Sequence, residues 1–404
     1  MINAISQDDC FLIKGFSDRS TEKLHRLQAR KLTVQKQTLF LVSSLLLTGL
    51  FSIVSPTTQA AQPLLLSQQQ PNQQLDELLR KGRQLVDAGN YAQAIAIYQQ
   101  AADLDRQNSK VFSAIGYLQA RQGNFQEAVK AYQQAIALDP NNADFQYALG
   151  YSLANAGDNA TAAAAYRRAA ELNNKNVNAY LGLGTVLLRQ KDYDAAINAY
   201  QKVVELEPRN AKAYELIGSV LLQQERTQDA VKALQQAATL APQQGSVQLS
   251  LGTALLKQGN TTAGLAAFEQ AARLAPGNAQ IHFQIGKILQ ARKDLPGALQ
   301  AFQKAASVQP NSVEAQAAIG EILLAQQNYL EAIVAYRRLV ELAPQEPQAY
   351  YNLGVALTGR DRTTEAIAAL EKARDLYQRQ GRNEGIQQAE SLLRELKKSS
   401  RLIQ

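Results

Sequence analysis

The sequence has 404 residues, 46% apolar and 19% charged, which is ordinary for a folded protein. Its 42 basic and 35 acidic residues give a net charge of +7, and the first 61 residues, with seven basic and four acidic ones, supply three of these charges. The excess in the rest of the chain is too dilute to predict a nucleic-acid partner. Cys10 is the only cysteine, and His25 and His282 are the only histidines, so no zinc site, other metal site or cofactor is expected.

An uncharged, leucine-rich segment from Thr38 to Val54 follows the seven basic residues. It ends at Ser55-Pro56, and the small residues Thr58 and Ala60 fit the −3 and −1 positions of a cleavage site. This order is typical of a secretory signal, and the basic side predicts export to a periplasmic or extracellular location. Because about 17 residues is short for a membrane span, two alternatives remain open: cleavage, or retention of 38–54 as a membrane anchor. No other membrane contact is expected.

These features predict the domain organisation. Residues 1–61 form the signal peptide or anchor, and 62–74, rich in glutamine with two prolines, form a flexible linker. Residues 75–380 hold nine repeats of 34 residues, and 381–404 form a capping helix and tail.

The repeat is marked by nine glycines that follow one another every 34 residues without an insertion: Gly82, Gly116, Gly150, Gly184, Gly218, Gly252, Gly286, Gly320 and Gly354. If each glycine is position 8 of its repeat, position 20 is always small. Position 24 is always large: Tyr98, Tyr132, Tyr166, Tyr200, Leu234, Phe268, Phe302, Tyr336 and Leu370. Each repeat contains two apolar stripes at helical spacing, separated by turns such as Gly89-Asn90 and ended by prolines such as Pro140. One unit cannot bury both stripes alone, so stacking is expected.

The pattern of each unit resembles the tetratricopeptide repeat: Leu-Gly early, Ala-x3-Tyr/Phe-x2-Ala in the middle and proline at the end. This resemblance implies an all-α, right-handed superhelical solenoid of helix-turn-helix repeats, with a concave groove lined by the first helices. The end copies are atypical, as capping units should be, since Lys81 replaces the usual Leu or Ile. After Gly381 the register breaks, and residues 384–398 are predicted to form an amphipathic capping helix.

Nothing in the sequence predicts catalysis. His282 occupies a repeat position that Tyr180, Tyr214 and Tyr350 fill elsewhere, which indicates packing. We find no phosphate-binding glycine loop, no nucleophile elbow and no His–carboxylate pair. The sequence therefore predicts a protein that is not an enzyme.

The resemblance places positions 2, 5, 9, 12 and 13 of each repeat in the groove. We predict an aromatic patch of Tyr117, Tyr147 and Tyr151, because the last two lie one helical turn apart. Position 13 is predicted to form a positive stripe of Arg121, Arg189 and Lys257. The remaining predicted groove residues are Asn155, Lys212, Phe283, Lys287 and Tyr351.

From these residues we predict a protein–protein interaction scaffold or assembly factor outside the cytoplasm. Partner segments would bind in the groove, anchored by tyrosines and selected for acidic character by the basic residues. The alternative is an accessory polymer-binding factor for polysaccharide export or envelope biogenesis, with the groove tyrosines stacked on sugars. Solenoids serve many partners, so the partner itself is not predicted.

Overall fold

The computed structural model describes the backbone of residues 61–403 and the side chains of residues 73–398. The predicted signal or anchor at 38–54 lies outside these residues. The chain divides into two units, residues 1–70 and 71–404. The first helix begins at Ala61, and the rest of the fold described below is that of the second unit. No helix within the described residues combines the length and apolar character that crossing a membrane requires.

The described residues form nineteen helices and no strand. Odd-numbered helices α1 to α17 are the first helices of the repeats, even-numbered helices are the second helices, and α19 follows the last pair. Their bounds are α1 Ala61–Asp87, α2 Tyr91–Leu104, α3 Ser109–Arg121, α4 Phe125–Leu138, α5 Ala143–Asn155, α6 Asn159–Leu172, α7 Val177–Arg189, α8 Tyr193–Leu206, α9 Ala211–Gln223, α10 Thr227–Leu240, α11 Gly245–Lys257, α12 Thr261–Leu274, α13 Ala279–Ala291, α14 Leu295–Val308, α15 Val313–Ala325, α16 Tyr329–Leu342, α17 Pro347–Thr358, α18 Thr363–Arg379 and α19 Asn383–Ile403.

The register follows the sequence pattern closely. From Ser109 to Pro347, successive first helices begin 34 residues apart, and each helix packs against the next along the chain. The predicted all-α solenoid of helix pairs is therefore confirmed. Residues 62–74 differ from the prediction, because they are helical and belong to α1 rather than to a flexible linker. Leucine and glutamine favour helix, and Pro63 falls in the first turn, where proline is tolerated, whereas Pro71 lies inside the helix and removes one of its backbone hydrogen bonds.

Short polar residues begin many of the helices. The backbone N–H of Thr161 donates to the carboxylate of Asp158 at 3.0 Å, and that of Ala179 donates to the side-chain oxygen of Asn176 at 3.1 Å. Such caps satisfy N–H groups that have no partner within the helix. The bond from Thr161 also lowers the pKa of Asp158.

A glycine packed against a large side chain sixteen residues later joins the two helices of each repeat. The ring of Tyr166 is buried between Gly150 of its own repeat and Gly182 of the next, and a Cβ at either glycine would overlap the ring. The same close approach joins Gly184 to Tyr200, which has no exposed surface. The regular spacing between the glycine and the large residue of each repeat thus reflects the space that one large side chain occupies.

Five turns between paired helices place a side-chain-bearing residue in the left-handed region: Lys191, Glu225, Lys293, Gln327 and Asp361, with φ between 56° and 64°. Other repeats have glycine at this point, for example Gly123 with φ of 80°. An L residue in this region costs about 1–2 kcal/mol, whereas glycine adopts it freely.

We expect Gln327→Gly to raise the free energy of unfolding by about 0.5–1 kcal/mol, because it removes this strain at some cost in unfolded-state entropy. The matched control is the adjacent Gln326→Gly, where φ is −81° and no strain exists. Urea titration followed by circular dichroism measures both. Equal effects of the two substitutions would contradict this explanation.

The last helix, α19, packs against α18 through the buried Ala389 and Leu393, within the stretch predicted to be amphipathic. Lys397 Nζ lies 2.7 Å from Glu371 Oε1 across the same contact. The opposite side of α19 exposes polar residues such as Gln387. The end of the stack is therefore covered by a helix with one apolar face.

A chain of side-chain hydrogen bonds crosses the last helix pair. The Tyr377 hydroxyl donates to Gln348 Oε1 at 2.7 Å, Gln348 Nε2 donates to Asn352 Oδ1 at 2.9 Å, and Asn352 Nδ2 donates to the Tyr336 hydroxyl at 3.0 Å. This network links α16, α17 and α18.

Candidate functional site

The first helices lie on the inside of the stack. Among the described helices, the more extensive contacts between successive helices of the same kind join first helices: α3 with α5, α5 with α7, α9 with α11 and α15 with α17. In a curved stack, the closer set of helices lies on the inner side. We call the surface formed by positions 2, 5, 9, 12 and 13 of the first helices the inner face.

The three predicted tyrosines lie on the inner face of repeats 2 and 3, where each is half-buried. The ring centroid of Tyr147 lies 5.8 Å from that of Tyr166, and Tyr151 packs edge-on against Phe125 at 6.3 Å. Tyr117 packs against the buried cluster that contains Tyr132. Each ring is therefore held by the core and remains partly exposed.

The three predicted tyrosines influence two buried phenols, those of Tyr132 and Tyr166. Burial raises the pKa of Tyr132, and the neighbouring Tyr117 and Tyr147 raise it further. Burial also raises the pKa of Tyr166, with added contributions from Tyr147 and Tyr151. The phenols of Tyr132 and Tyr166 consequently stay protonated near neutral pH.

Position 13 has a second role that the sequence analysis missed. Arg189 donates to the carbonyl oxygen of Ala154 at 3.0 Å, near the end of α5 in the preceding repeat. The Arg121 guanidinium lies 5.9 Å from the ring centroid of Tyr91, also one repeat earlier. These two members of the predicted positive stripe thus contact the repeat before their own, although both remain exposed.

The other predicted groove residues are distributed along the inner face. Lys257 and Lys287 are exposed and form no ion pair with any described side chain. Asn155 donates to the carbonyl of Tyr151 at 2.8 Å, and the Phe283 ring lies 5.3 Å from that of Phe302. Tyr351, the last of the set, is half-buried.

A row of small hydroxyl residues continues the inner face beyond the tyrosines. Thr185, Ser219 and Thr253 occupy position 9 of three successive repeats and are half-buried. Each hydroxyl donates to the carbonyl four residues earlier, at 2.9, 2.8 and 2.9 Å. Because their protons are used within the helices, the oxygens can only accept further hydrogen bonds.

A buried carboxylate lies in the middle of this row. Glu215 is 5% exposed and accepts from Lys212 Nζ at 3.0 Å. Neighbouring repeats place Leu181 and Leu249 at the same position. Glu215 is the only charged residue at position 5, a signal that the sequence analysis did not use.

We expect Glu215→Leu to stabilise the fold by about 1 kcal/mol, since a leucine replaces a desolvated carboxylate. Lys212→Met should instead destabilise it by about 1–2 kcal/mol, because the buried carboxylate loses its partner. Lys202→Met is the control, because Lys202 and Glu205 form an exposed pair at 2.6 Å that contributes little. Chemical denaturation measures all three, and a loss of stability in Glu215→Leu would refute the assignment.

The described side chains contain no His/Cys/Asp/Glu group suited to holding a metal ion. His282 Nε2 lies 3.0 Å from the carbonyl oxygen of Pro276, so this ring contacts the turn before α13. A cavity lies away from the inner face, between α8 and α10, and includes Ile197, Ile217 and Asp229 in its lining.

Paired helices, with a glycine packed against a large side chain every 34 residues, define a helical-repeat protein. The family model described as Cilia and flagella-associated protein 70 C-terminal domain, a tetratricopeptide repeat model, matches residues 66–318. The model described as Tetratricopeptide repeat matches residues 317–381. The chain belongs to the tetratricopeptide repeat family.

Solved structures of the same architecture are similar to this chain. A tetratricopeptide repeat-containing protein from Cytophaga hutchinsonii is 16% identical, with a TM-score of 0.53 over 59% of this chain and 98% of its own. One from Parabacteroides merdae is 18% identical, with a TM-score of 0.47 over 62% and 99%. YrrB, described as a TPR protein with an unusual peptide-binding site, is 24% identical, with a TM-score of 0.41 over 47% and 98%. No curated protein sequence matches the chain.

The family places the chain in a general class. Tetratricopeptide repeats form protein-interaction scaffolds and are typically not catalytic, and the chain has the fold of this class throughout repeats 1 to 9.

Proposed function

We propose that the chain is a non-catalytic scaffold that binds a segment of a partner protein along the inner face of repeats 2 to 7. The observation that carries this proposal is the group of three half-buried tyrosines, Tyr117, Tyr147 and Tyr151, each held on one side by the core. A ring that is already fixed loses little entropy on binding, and tyrosine is frequent among the residues that dominate binding energy.

The hydroxyl row supports an extended partner segment. Thr185, Ser219 and Thr253 are short, so a partner backbone can approach the first helices closely there. Their oxygens accept hydrogen bonds, and backbone N–H groups of an extended segment are unpaired donors. Lys257 and Lys287, which have no acidic partner among the described side chains, favour a segment with acidic residues.

The proposal is tested with a peptide-display library selected on the full chain. Changing Tyr117, Tyr147 and Tyr151 together to alanine should lower the affinity for the selected peptides at least about tenfold, which is the effect of losing one good anchor residue. Changing the same three to phenylalanine should retain most of the affinity, because the rings and their packing remain.

The matched control changes three exposed residues of second helices, Gln133, Gln201 and Gln235, to alanine. It should leave peptide affinity unchanged. Circular dichroism melts establish that each variant is folded. Undiminished binding by a folded alanine triple variant would reject this surface.

The proposal also places the protein outside the cytoplasm, on the strength of the sequence of residues 38–60. Fractionation of the native host and sequencing of the mature N-terminus would distinguish cleavage after Ala60 from a retained anchor. The alternative role, binding of a polysaccharide during its export, predicts glycan-array binding through the same tyrosines with no peptide selected.

A further inference from the structure

The outer face of α16 carries an exposed apolar ridge. Leu330 is 59% and Val334 66% exposed, and they lie one turn apart on the same side of the helix. The same two repeat positions hold Pro296 and Gln300 on α14, and Thr364 and Ala368 on α18. Repeat 8 therefore presents a pair of large apolar side chains where its neighbours do not.

The charges beside this ridge are arranged for a second copy of the same helix. At 100° per residue, Glu331 and Arg338 lie on one side of Val334, and Leu330 and Arg337 lie on the other. If two α16 helices meet antiparallel about a two-fold axis at Val334, Glu331 faces Arg338 of the second copy. Leu330 then faces the aliphatic stem of Arg337 of the second copy.

The pairs within one chain leave these charges available. Glu331 forms no ion pair among the described side chains. Arg338 bonds Glu341 at 2.9 Å, yet its side chain is 45% exposed and retains free donors. Arg337 is held by Glu365 at 2.7 Å, which fixes its stem beside the ridge.

We propose that the outer face of repeat 8 is a self-association surface, through which two copies of the chain pair antiparallel along α16. A two-fold contact is self-complementary, so each copy supplies both the apolar ridge and both charges and no further copy can add to it. The surface lies on a second helix and is separate from the inner face, so a pair could hold two partner segments.

Disulfide trapping tests the geometry on the full chain. With Cys10, the only natural cysteine, changed to serine, Val334→Cys should give a disulfide-linked dimer on mild oxidation because the two-fold axis brings the two thiols together. The matched control, Gln300→Cys, is exposed at the same position one repeat earlier and should stay monomeric. Detergent keeps every variant in solution, and the shared N-terminal segment contributes equally to all. Dimer yields no greater than in the control would overturn the proposal.

Charge exchange tests the register. In the Val334→Cys chain, Glu331→Arg should reduce dimer formation about tenfold, because two symmetry-related ion pairs become repulsive. Adding Arg338→Glu should restore dimer formation, since each pair reappears with its signs exchanged. If Glu331→Arg has no effect, or the second substitution fails to restore the dimer, the two-fold register is wrong and the proposal fails.

Discussion

Replacing Gly184 by alanine should lower the free energy of unfolding by about 1–3 kcal/mol, although alanine favours helix over glycine. A Cβ at this position overlaps the ring of Tyr200, which is completely buried and cannot turn away without displacing the next repeat. The cost is therefore one of overpacking between the two helices of one repeat.

The sign of this effect should reverse when the ring is absent. Tyr200→Ala alone should cost about 3–5 kcal/mol, because it leaves a cavity at a junction. In that background Gly184→Ala should stabilise by up to about 1 kcal/mol, the helix preference of alanine over glycine.

Urea titration of the four chains measures this cycle, fitted with a nearest-neighbour description of the repeats because such arrays are not strictly two-state. Gly277→Ala is the control, since no atom lies near a Cβ built there and a small effect is expected. A loss of stability on Gly184→Ala in both backgrounds would show that the ring is not what requires glycine.

Alkaline pH is expected to unfold the chain through its buried tyrosines. Burial raises the pKa of Tyr132, Tyr166 and Tyr336 well above the ordinary 10.0. The pKa of each tyrosine is higher in the folded state than in the unfolded state. The contribution of these tyrosines to folding stability is therefore complete below pH 10 and is lost as the pH rises above 10. At pH 11 each of the three tyrosines lowers the free energy of unfolding by about 1.4 kcal/mol, so together they lower it by about 4 kcal/mol.

Thermal melts at pH 8, 10 and 11 test this expectation, with tyrosinate absorbance recorded alongside. A chain with Tyr132→Phe and Tyr166→Phe should lose less stability between pH 8 and pH 11 than the natural chain, by about 3 kcal/mol. Tyrosinate absorbance from the buried rings should appear together with unfolding. Equal losses in the two chains would mean that other groups control alkaline unfolding.

The fold was predictable because its determinants are local and repeated. Gly184 and Tyr200 lie sixteen residues apart in one repeat, and every other repeat has a glycine and a large residue at the same spacing. The helical state of 62–74 was missed because proline and glutamine were taken as linker composition, although glutamine and leucine favour helix.

The candidate site was predictable only in part. Repeat position placed Tyr117, Tyr147 and Tyr151 on first helices, but which core ring each contacts depends on side-chain direction and neighbouring helices. The contact between Arg189 and the Ala154 carbonyl spans two repeats, and position alone suggested a ligand-facing charge. Glu215 was visible as an exception at position 5, but its burial is a property of the packed stack.

The hydrogen-bonded side chains from Tyr336 to Tyr377 make the C-terminal end of the repeat stack more resistant to local unfolding than the N-terminal end. Helices at a free end detach first in a linear array, because they have a neighbour on one side only. At the C-terminal end, release of α18 requires breaking the bond between Tyr377 and Gln348 as well as apolar contacts. Among the described helices, fraying should therefore start from the α1 and α2 end, leaving the region around α16 as the part that stays ordered longest.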